Sequence, residues 1–360
     1  MIPFTKTQIK RYPFRKNDTL LGQDSADDLI LEHLKEVNLS EKRILIINDQ
    51  FGALSCGLDK YSCTSYTDSY LSFMGILTNG QKKIRPINRL ENLDGFYDYV
   101  LIQIPKNMSF FEDILCHLTE HLHAQSKLIC GAMIKHLAPK SFDLIQKYIG
   151  KTRTSLAKKK ARLIFADFEK EQTSSHFPLV VKLEMFDTPF INPSNLFSRE
   201  KLDIGTRFFL EHIPQGPFKK ILDLGCANGV IGIKAKMINP DSTILFSDES
   251  SMAIESAQIN YNNHFKEKAE FFWTNCFENQ EKEFIDLVLC NPPFHQGNTI
   301  GDYTANQMFQ DAFVALKVGG KIRVIGNSHL GYQIKIKKIF GNSQIIATNN
   351  KFIICEAYKK

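Results

Sequence analysis

The chain has 360 residues, beyond the roughly 250–300 at which a single hydrophobic core stops growing, so two domains are expected. Hydrophobic residues make up 43%, yet no apolar run approaches the roughly 20 residues that span a bilayer, and the N-terminus carries no signal-peptide core; a cytoplasmic protein with no membrane segment is expected. Lys and Arg number 45 against 39 Asp and Glu, a net charge of +6 that permits an RNA partner without demanding one.

The first half alternates strand and helix patterns. Residues 42–49 (KRILIIND) read as a strand running into Gln50-Phe51-Gly52-Ala53-Leu54, and 62–68 as a second strand. Residues 96–106 (FYDYVLIQIPK) form another strand, 110–122 a helix and 127–134 a strand. A basic run follows: Lys151, Arg153, Lys158, Lys159, Lys160 and Arg162. Such a run is ordinarily a solvated face, and equally a phosphate-contacting one if the partner is RNA. Residues 186–200 (FDTPFINPSNLFSRE), rich in Pro, Asn and Ser, are read as the linker.

The second half repeats the order. Strand 219–224 leads into a glycine loop and a helix over 230–238, which Asn239-Pro240-Asp241 ends. Strand 242–248, helix 250–265 and strand 270–276 follow. Residues 284–290 (FIDLVLC) are nearly all apolar, as a central parallel strand should be. A helix over 306–317 is closed by Gly319-Gly320, and strand 321–327 precedes a closing strand pair, 344–348 and 351–358. The expected fold is α/β, with two tandem Rossmann-like doubly wound sheets, the last strand antiparallel. Residues 96–106 lie on 284–294 without a gap, Asp98 opposite Asp286, which points to internal duplication; the alternative is the general likeness of any two α/β domains. The first copy has lost its chemistry, with Gln103-Ile104-Pro105-Lys106 where the second has Asn291-Pro292-Pro293-Phe294, and its glycine loop reads as shorter, with one glycine.

Four strand ends carry the chemistry. Asp223-Leu224-Gly225-Cys226-Ala227-Asn228-Gly229 follows a strand and opens a helix, where glycines permit positive φ and close approach of a ligand. It is not the dinucleotide G-x-G-x-x-G pattern; it resembles the first motif of S-adenosylmethionine enzymes, and Asp223 suits a cationic sulfonium better than a pyrophosphate. Asp248 can accept from both ribose hydroxyls or cap the next helix, and the two roles are compatible. Asn275 can read an adenine edge or be a turn residue. Asn291-Pro292-Pro293-Phe294-His295 is the most specific signal. Prolines fix the backbone, so the Asn291 side-chain oxygen and the Pro292 carbonyl can accept both hydrogens of one exocyclic NH2. That draws its lone pair toward the sulfonium methyl, with Phe294 stacking on the base. His295 either accepts the proton or orients the loop.

The eight cysteines (Cys56, Cys63, Cys116, Cys130, Cys226, Cys276, Cys290, Cys355) form no C-x-x-C pair, and no His cluster has ligand spacing. Buried thiols in a reducing compartment are expected, with no metal.

On these motifs the second half resembles the N-P-P-F-H class of ribosomal RNA guanine-N2 methyltransferases. The whole chain resembles its large-subunit family, RlmG, through Arg11-Tyr12-Pro13, Asp24-Ser25-Ala26-Asp27, Phe51-Gly52-Ala53-Leu54, Phe197-Ser198-Arg199 and Leu202-Asp203-Ile204-Gly205-Thr206-Arg207 as well. Gln23 before Asp24 and Gly297 after Gln296 depart from the family pattern, away from the proposed chemistry. The resemblance implies methylation of one guanine N2 in large-subunit (23S) rRNA by residues 195–360. It implies a degenerate, non-catalytic methyltransferase-like domain over 1–187 that engages RNA, with Lys158, Lys159, Lys160 and Arg162 as phosphate contacts. Alternatives are the small-subunit enzyme, an N-P-P enzyme acting on adenine N6 or protein glutamine, and a non-catalytic RNA-binding paralogue.

Overall fold

The computed structural model describes residues 9–14, 21–80, 84–293 and 299–360. The chain divides into two compact units, Met1–Phe177 and Pro178–Lys360. No helix among the described residues is long and apolar enough to cross a membrane.

The first unit contains strands β1 (Ile44–Ile47), β2 (Cys63–Tyr66), β3 (Ile84–Ile87), β4 (Tyr99–Gln103), β5 (Lys127–Met133), β6 (Thr152–Thr154) and β7 (Ala161–Asp167). Its helices are α1 (Ser25–Leu34), α2 (Ala53–Gly57), α3 (Tyr70–Asn79), α4 (Met108–Leu118) and α5 (Pro139–Tyr148). The second unit opens with a hairpin, β8 (Leu179–Val181) and β9 (Phe190–Asn192). Its main sheet holds β10 (Lys220–Leu224), β11 (Thr243–Asp248), β12 (Glu270–Trp273), β13 (Ile285–Cys290), β14 (Leu316–Asn327), β15 (Gln344–Thr348) and β16 (Phe352–Tyr358). Helices α6 (Ile204–Leu210), α7 (Val230–Ile238), α8 (Ser251–His264), α9 (Thr299–Ala315) and α10 (Tyr332–Phe340) surround it.

The two seven-stranded sheets share one order, β3-β2-β1-β4-β5-β7-β6 and β12-β11-β10-β13-β14-β16-β15. In each the first five strands run parallel, and the penultimate strand is antiparallel to both its neighbours. The likeness extends to single hydrogen bonds. Asp98 accepts from Arg43 N–H at 2.9 Å, and Asp286 from Lys219 and Lys220 N–H at 2.9 and 2.8 Å, so each carboxylate pins the start of the adjacent central strand. Ser69 caps α3 through Ser72 N–H, and Ser250 caps α8 through Ala253 N–H, both at 3.1 Å. Gly52 and Gly229 each precede a helix in the left-handed region, at φ 85° and 80°.

β13 shows why the central strand is apolar throughout. Val288 and Cys290 pack in one cluster with Phe309 and Ile336, while Leu287 and Leu289 join Phe209, Ile231 and Phe246 on the other face. All eight cysteines are free, seven of them buried.

Three expectations need correction. The first copy's glycine loop is not shorter: Asn48-Asp49-Gln50-Phe51-Gly52 matches Gly225-Cys226-Ala227-Asn228-Gly229 residue for residue between strand and helix, with Asn48 at φ 62° where Gly225 has 78°. Residues 186–200 are not a linker, and the division falls between Phe177 and Pro178 rather than near 187. Phe186 and Phe190 sit in the second unit's core, an apolar burial that the Pro, Asn and Ser content around them concealed. Gly319-Gly320 does not close a helix. It lies inside β14, where the pairing with β13 shifts register and Gly319 takes φ 82°, a bulge in the strand.

Candidate active site

The register of β10 with β13 pairs Leu224 with Cys290, so the next residues, Gly225 and Asn291, leave neighbouring central strands side by side at their C-terminal ends. Likewise Leu224 pairs with Ser247, which brings Asp248 beside the same loop. Open parallel sheets hold ligands at this edge. Asp223, Gly225, Gly229, Asp248 and Asn291, far apart in sequence, are thereby brought together.

The loop is held from three sides. Gly225 and Cys226 N–H donate to the Ser247 carbonyl at 2.8 and 3.0 Å. Asp248 accepts Ala227 N–H at 2.9 Å through one oxygen and Ser250 N–H at 3.0 Å through the other. Its capping and loop-holding roles thus coexist. Asn260, fully buried in α8, donates to the Asn228 carbonyl at 3.0 Å and accepts Ile191 N–H at 2.7 Å. Asn228 in turn donates to Asn192 at 3.2 Å. β9, read from sequence as linker, is therefore part of the loop's support, and Asn192 and Asn260 are site residues that the sequence reading missed. A Cβ on Gly229 would stand 3.1 Å from the Ala257 backbone at a φ that side chains disfavour, which is why glycine is needed there.

Asp223 is fully buried. One oxygen accepts Gly232 N–H at 2.8 Å and the other has no partner among the described residues. Burial, and then the nearby Asp248 charge, push its carboxyl well above the ordinary range, partly opposed by the Gly232 bond. Asn275 is committed locally, its amide donating to Glu278 at 2.9 Å and its oxygen receiving the Cys276 thiol at 3.7 Å. β12 ends at Trp273, short of Asn275.

Asn291 follows the last residue of β13. Its Nδ2 donates to Thr206 Oγ1 at 3.0 Å, and its buried Oδ1 has no partner among the described residues. Pro292 is buried and Pro293 exposed. Phe294 and His295 lie outside the described residues. The arrangement leaves an acceptor at a strand end, beside a glycine loop and a carboxylate.

Comparison with known proteins matches the RLMG N-terminal domain family to residues 1–170 and the methyltransferase small domain family to residues 187–356. The chain is 39% identical to the ribosomal RNA large subunit methyltransferase G of Psychromonas ingrahamii, over 98% of this chain and 96% of that one. It is 40% identical to that of Pseudomonas fluorescens, over 99% and 98%. The chain belongs to the ribosomal RNA large subunit methyltransferase G family. A solved structure, T. thermophilus 16S rRNA N2 G1207 methyltransferase (RsmC) in complex with AdoMet and guanosine, shares the fold, with TM-score 0.78 at 18% identity over 94% of this chain and 92% of that one.

The site fits S-adenosylmethionine: a carboxylate stands at the second strand's end, a close-approach glycine loop at the first, and two buried acceptors without a partner among the described residues, on Asp223 and Asn291, lie near the loop. The first unit keeps the frame and loses these groups. Tyr66 pairs with Ile47, so Thr67 stands where Asp248 does; it still accepts Ser69 N–H, at 3.2 Å, but brings no carboxylate. Asp49, from within the loop, accepts Ser55 N–H at 2.8 Å, as Asp223 accepts Gly232 N–H. Gln103 at the fourth strand's end gives its amide to Asp27 on α1.

The basic run is split. Lys158 is paired with Glu32 at 2.6 Å. Lys159 and Lys160 form the exposed tip of a tight turn closed by the Lys158–Ala161 bridge, both at positive φ, 48° and 64°. Arg162 is half-buried in β7, its Nε without a partner among the described residues. Two lysines in a conformation that favours Asn and Gly are a local cost in stability.

Proposed function

We propose that the second unit transfers the methyl group of S-adenosylmethionine to the N2 amine of one guanine in large-subunit rRNA, and that the first unit adds RNA-contacting surface without holding the cofactor. The observation that carries this is the buried Oδ1 of Asn291, without a partner among the described residues and beside the glycine loop. The cofactor, when bound, supplies an electrophilic methyl on a cationic sulfur. Asp223, the 225–229 loop and Asp248 hold it. Asn291 Oδ1 and the Pro292 carbonyl accept the two hydrogens of the amine and so expose its lone pair. No strong base is required, since the proton leaves after nitrogen has become cationic. The relatives' names support large-subunit rRNA as substrate, and guanosine in the RsmC complex supports guanine.

Nucleoside mass spectrometry of 23S rRNA from a strain lacking the gene should show loss of one N2-methylguanosine, restored by the purified protein and cofactor. An unchanged N2-methylguanosine content, or methyl groups restored on adenine N6 or on protein, would reject the assignment.

Asp248→Ala removes the ribose acceptor and frees Ala227 N–H and Ser250 N–H. Cofactor affinity by calorimetry should fall roughly ten- to hundredfold, as for loss of hydrogen bonds to a charged group. Parent-like affinity would remove Asp248 from the cofactor site.

The lysine turn gives a prediction with opposed signs. Lys160→Gly relieves a positive φ of 64°, a gain of up to about 1 kcal/mol. The melting midpoint should rise by roughly 2–4 °C. RNA affinity should fall, with the slope of log K against log salt reduced by about one. An unchanged salt slope would exclude Lys160 from RNA contact.

A further inference from the structure

We propose that Asp203 and Thr206 are positioning residues that decide which end of the Asn291 amide meets the amine to be methylated; the inference rests on the acceptor role given to Asn291 above. Asp203 is the N-cap of α6. Its Oδ2 accepts Thr206 N–H at 3.0 Å and lies 3.4 Å from Thr206 Oγ1. A carboxylate only accepts, so the single hydroxyl proton of Thr206 goes to Asp203. The hydroxyl then meets Asn291 with a lone pair and receives Nδ2 at 3.0 Å. The amide is thereby polarised in one sense, with its NH2 held by Thr206 and Oδ1 left as an open acceptor. Were the amide reversed, its NH2 would oppose the substrate NH2, donor against donor, and Oδ1 would face a hydroxyl whose proton is already used. Thr206 is 5% exposed, so water competes little for that hydroxyl.

A helix-to-strand tie recurs in the first unit. Asp24 caps α1 by accepting Ala26 and Asp27 N–H at 2.7 and 3.2 Å, and Asp27, at the helix position that Thr206 occupies in α6, receives the Gln103 amide. A contact kept where the Asn-Pro-Pro stretch is missing has a framework part. The test must therefore separate orienting Asn291 from holding α6 to β13.

A double-substitution cycle does so. Single-turnover methyl transfer to large-subunit rRNA at saturating cofactor is timed for the parent, Thr206→Ala, Thr206→Ser, Asn291→Asp, and Thr206→Ala with Asn291→Asp. Thr206→Ala should slow transfer roughly ten- to hundredfold, the scale of a misoriented reacting group. Thr206→Ser should restore most of the rate. Cofactor affinity should stay near the parent's, and the melting midpoint should fall only modestly, because the cap bond to Asp203 uses the Thr206 backbone while the tie to Asn291 is lost. In the Asn291→Asp background either carboxylate oxygen accepts and no orientation remains to be set, so Thr206→Ala should cost less than about threefold. Equal losses in both backgrounds, or a parent-like rate for Thr206→Ala, would overturn the proposal. If Asn291→Asp is too slow to time, the Asn291 side-chain amide protons provide the same decision. Their exchange with solvent should quicken in Thr206→Ala and not in Thr206→Ser, and equal protection in all three proteins would overturn the proposal. The identity of the methylated nucleoside is read on the parent alone, so a product other than N2-methylguanosine rejects the substrate assignment while the cycle still decides the role of Thr206.

Discussion

Asn291→Ala is expected to slow methyl transfer by roughly a hundred- to thousandfold, the usual cost of removing one positioned partner from a transition state. The substitution deletes the one side-chain acceptor at the end of β13 and leaves Thr206 without its amide donor. Cofactor affinity should change little, because the groups assigned to the cofactor are on β10, its loop and β11. Asn291→Asp should keep part of the rate, since a carboxylate still accepts. Single-turnover measurement on large-subunit rRNA compares the two, and parent-like rates in both would reject the acceptor-pair mechanism.

Asn260→Ala is expected to have the largest effect on stability. Asn260 is fully buried and bonds Ile191 through both amide ends, at 2.7 and 3.3 Å, and the Asn228 carbonyl at 3.0 Å. Alanine strands the Ile191 N–H and the Asn228 carbonyl at once, while the Ile191 carbonyl keeps the Ser256 hydroxyl at 2.6 Å, and the loss costs about 2–4 kcal/mol. The melting midpoint of the second unit should drop by roughly 5–12 °C. Cofactor affinity should also weaken, because the glycine loop loses its tie to β9. Thermal unfolding with and without S-adenosylmethionine measures both; a midpoint within a degree or so of the parent's would show that the clamp carries no load.

These two residues also mark what the sequence does and does not disclose. Asn291 is legible because two prolines follow it directly and an apolar strand precedes it, a local pattern with a local meaning. Asp223, Gly225, Gly229 and Asp248 are legible for the same reason, since each ends a strand or opens a helix. The sheet order follows from the alternation of strands and helices. Asn260 gives no signal, as its partners Ile191 and Asn228 lie far away along the chain and its own helix reads as an ordinary amphipathic segment. Thr206 enters only through family resemblance, because its partner Asn291 is remote in sequence. The 186–200 segment is misread because Pro, Asn and Ser outweigh two buried phenylalanines in composition, though not in packing. The glycine loop of the first unit looks short because Asn48 adopts a backbone conformation that sequence readers assign to glycine.

The matched sheets set two different residue choices for one strand order side by side in the same chain. Where the halves differ, the first shows which replacements the fold accepts. Thr67 in place of Asp248 and Gln103 in place of Asn291 still support a complete seven-stranded sheet. Thr67 keeps the bond to Ser69 N–H and Gln103 keeps a tie to α1, so replacements at Asp248 and Asn291 that retain such contacts form a class expected to leave the sheet folded. Asp223 belongs to another class. The first unit has Ile46 at that strand position and recovers the lost helix contact with Asp49, supplied from the loop. Asp223→Ile alone would lack that replacement, and only the pair Asp223→Ile with Cys226→Asp reproduces the solution that the first half already uses.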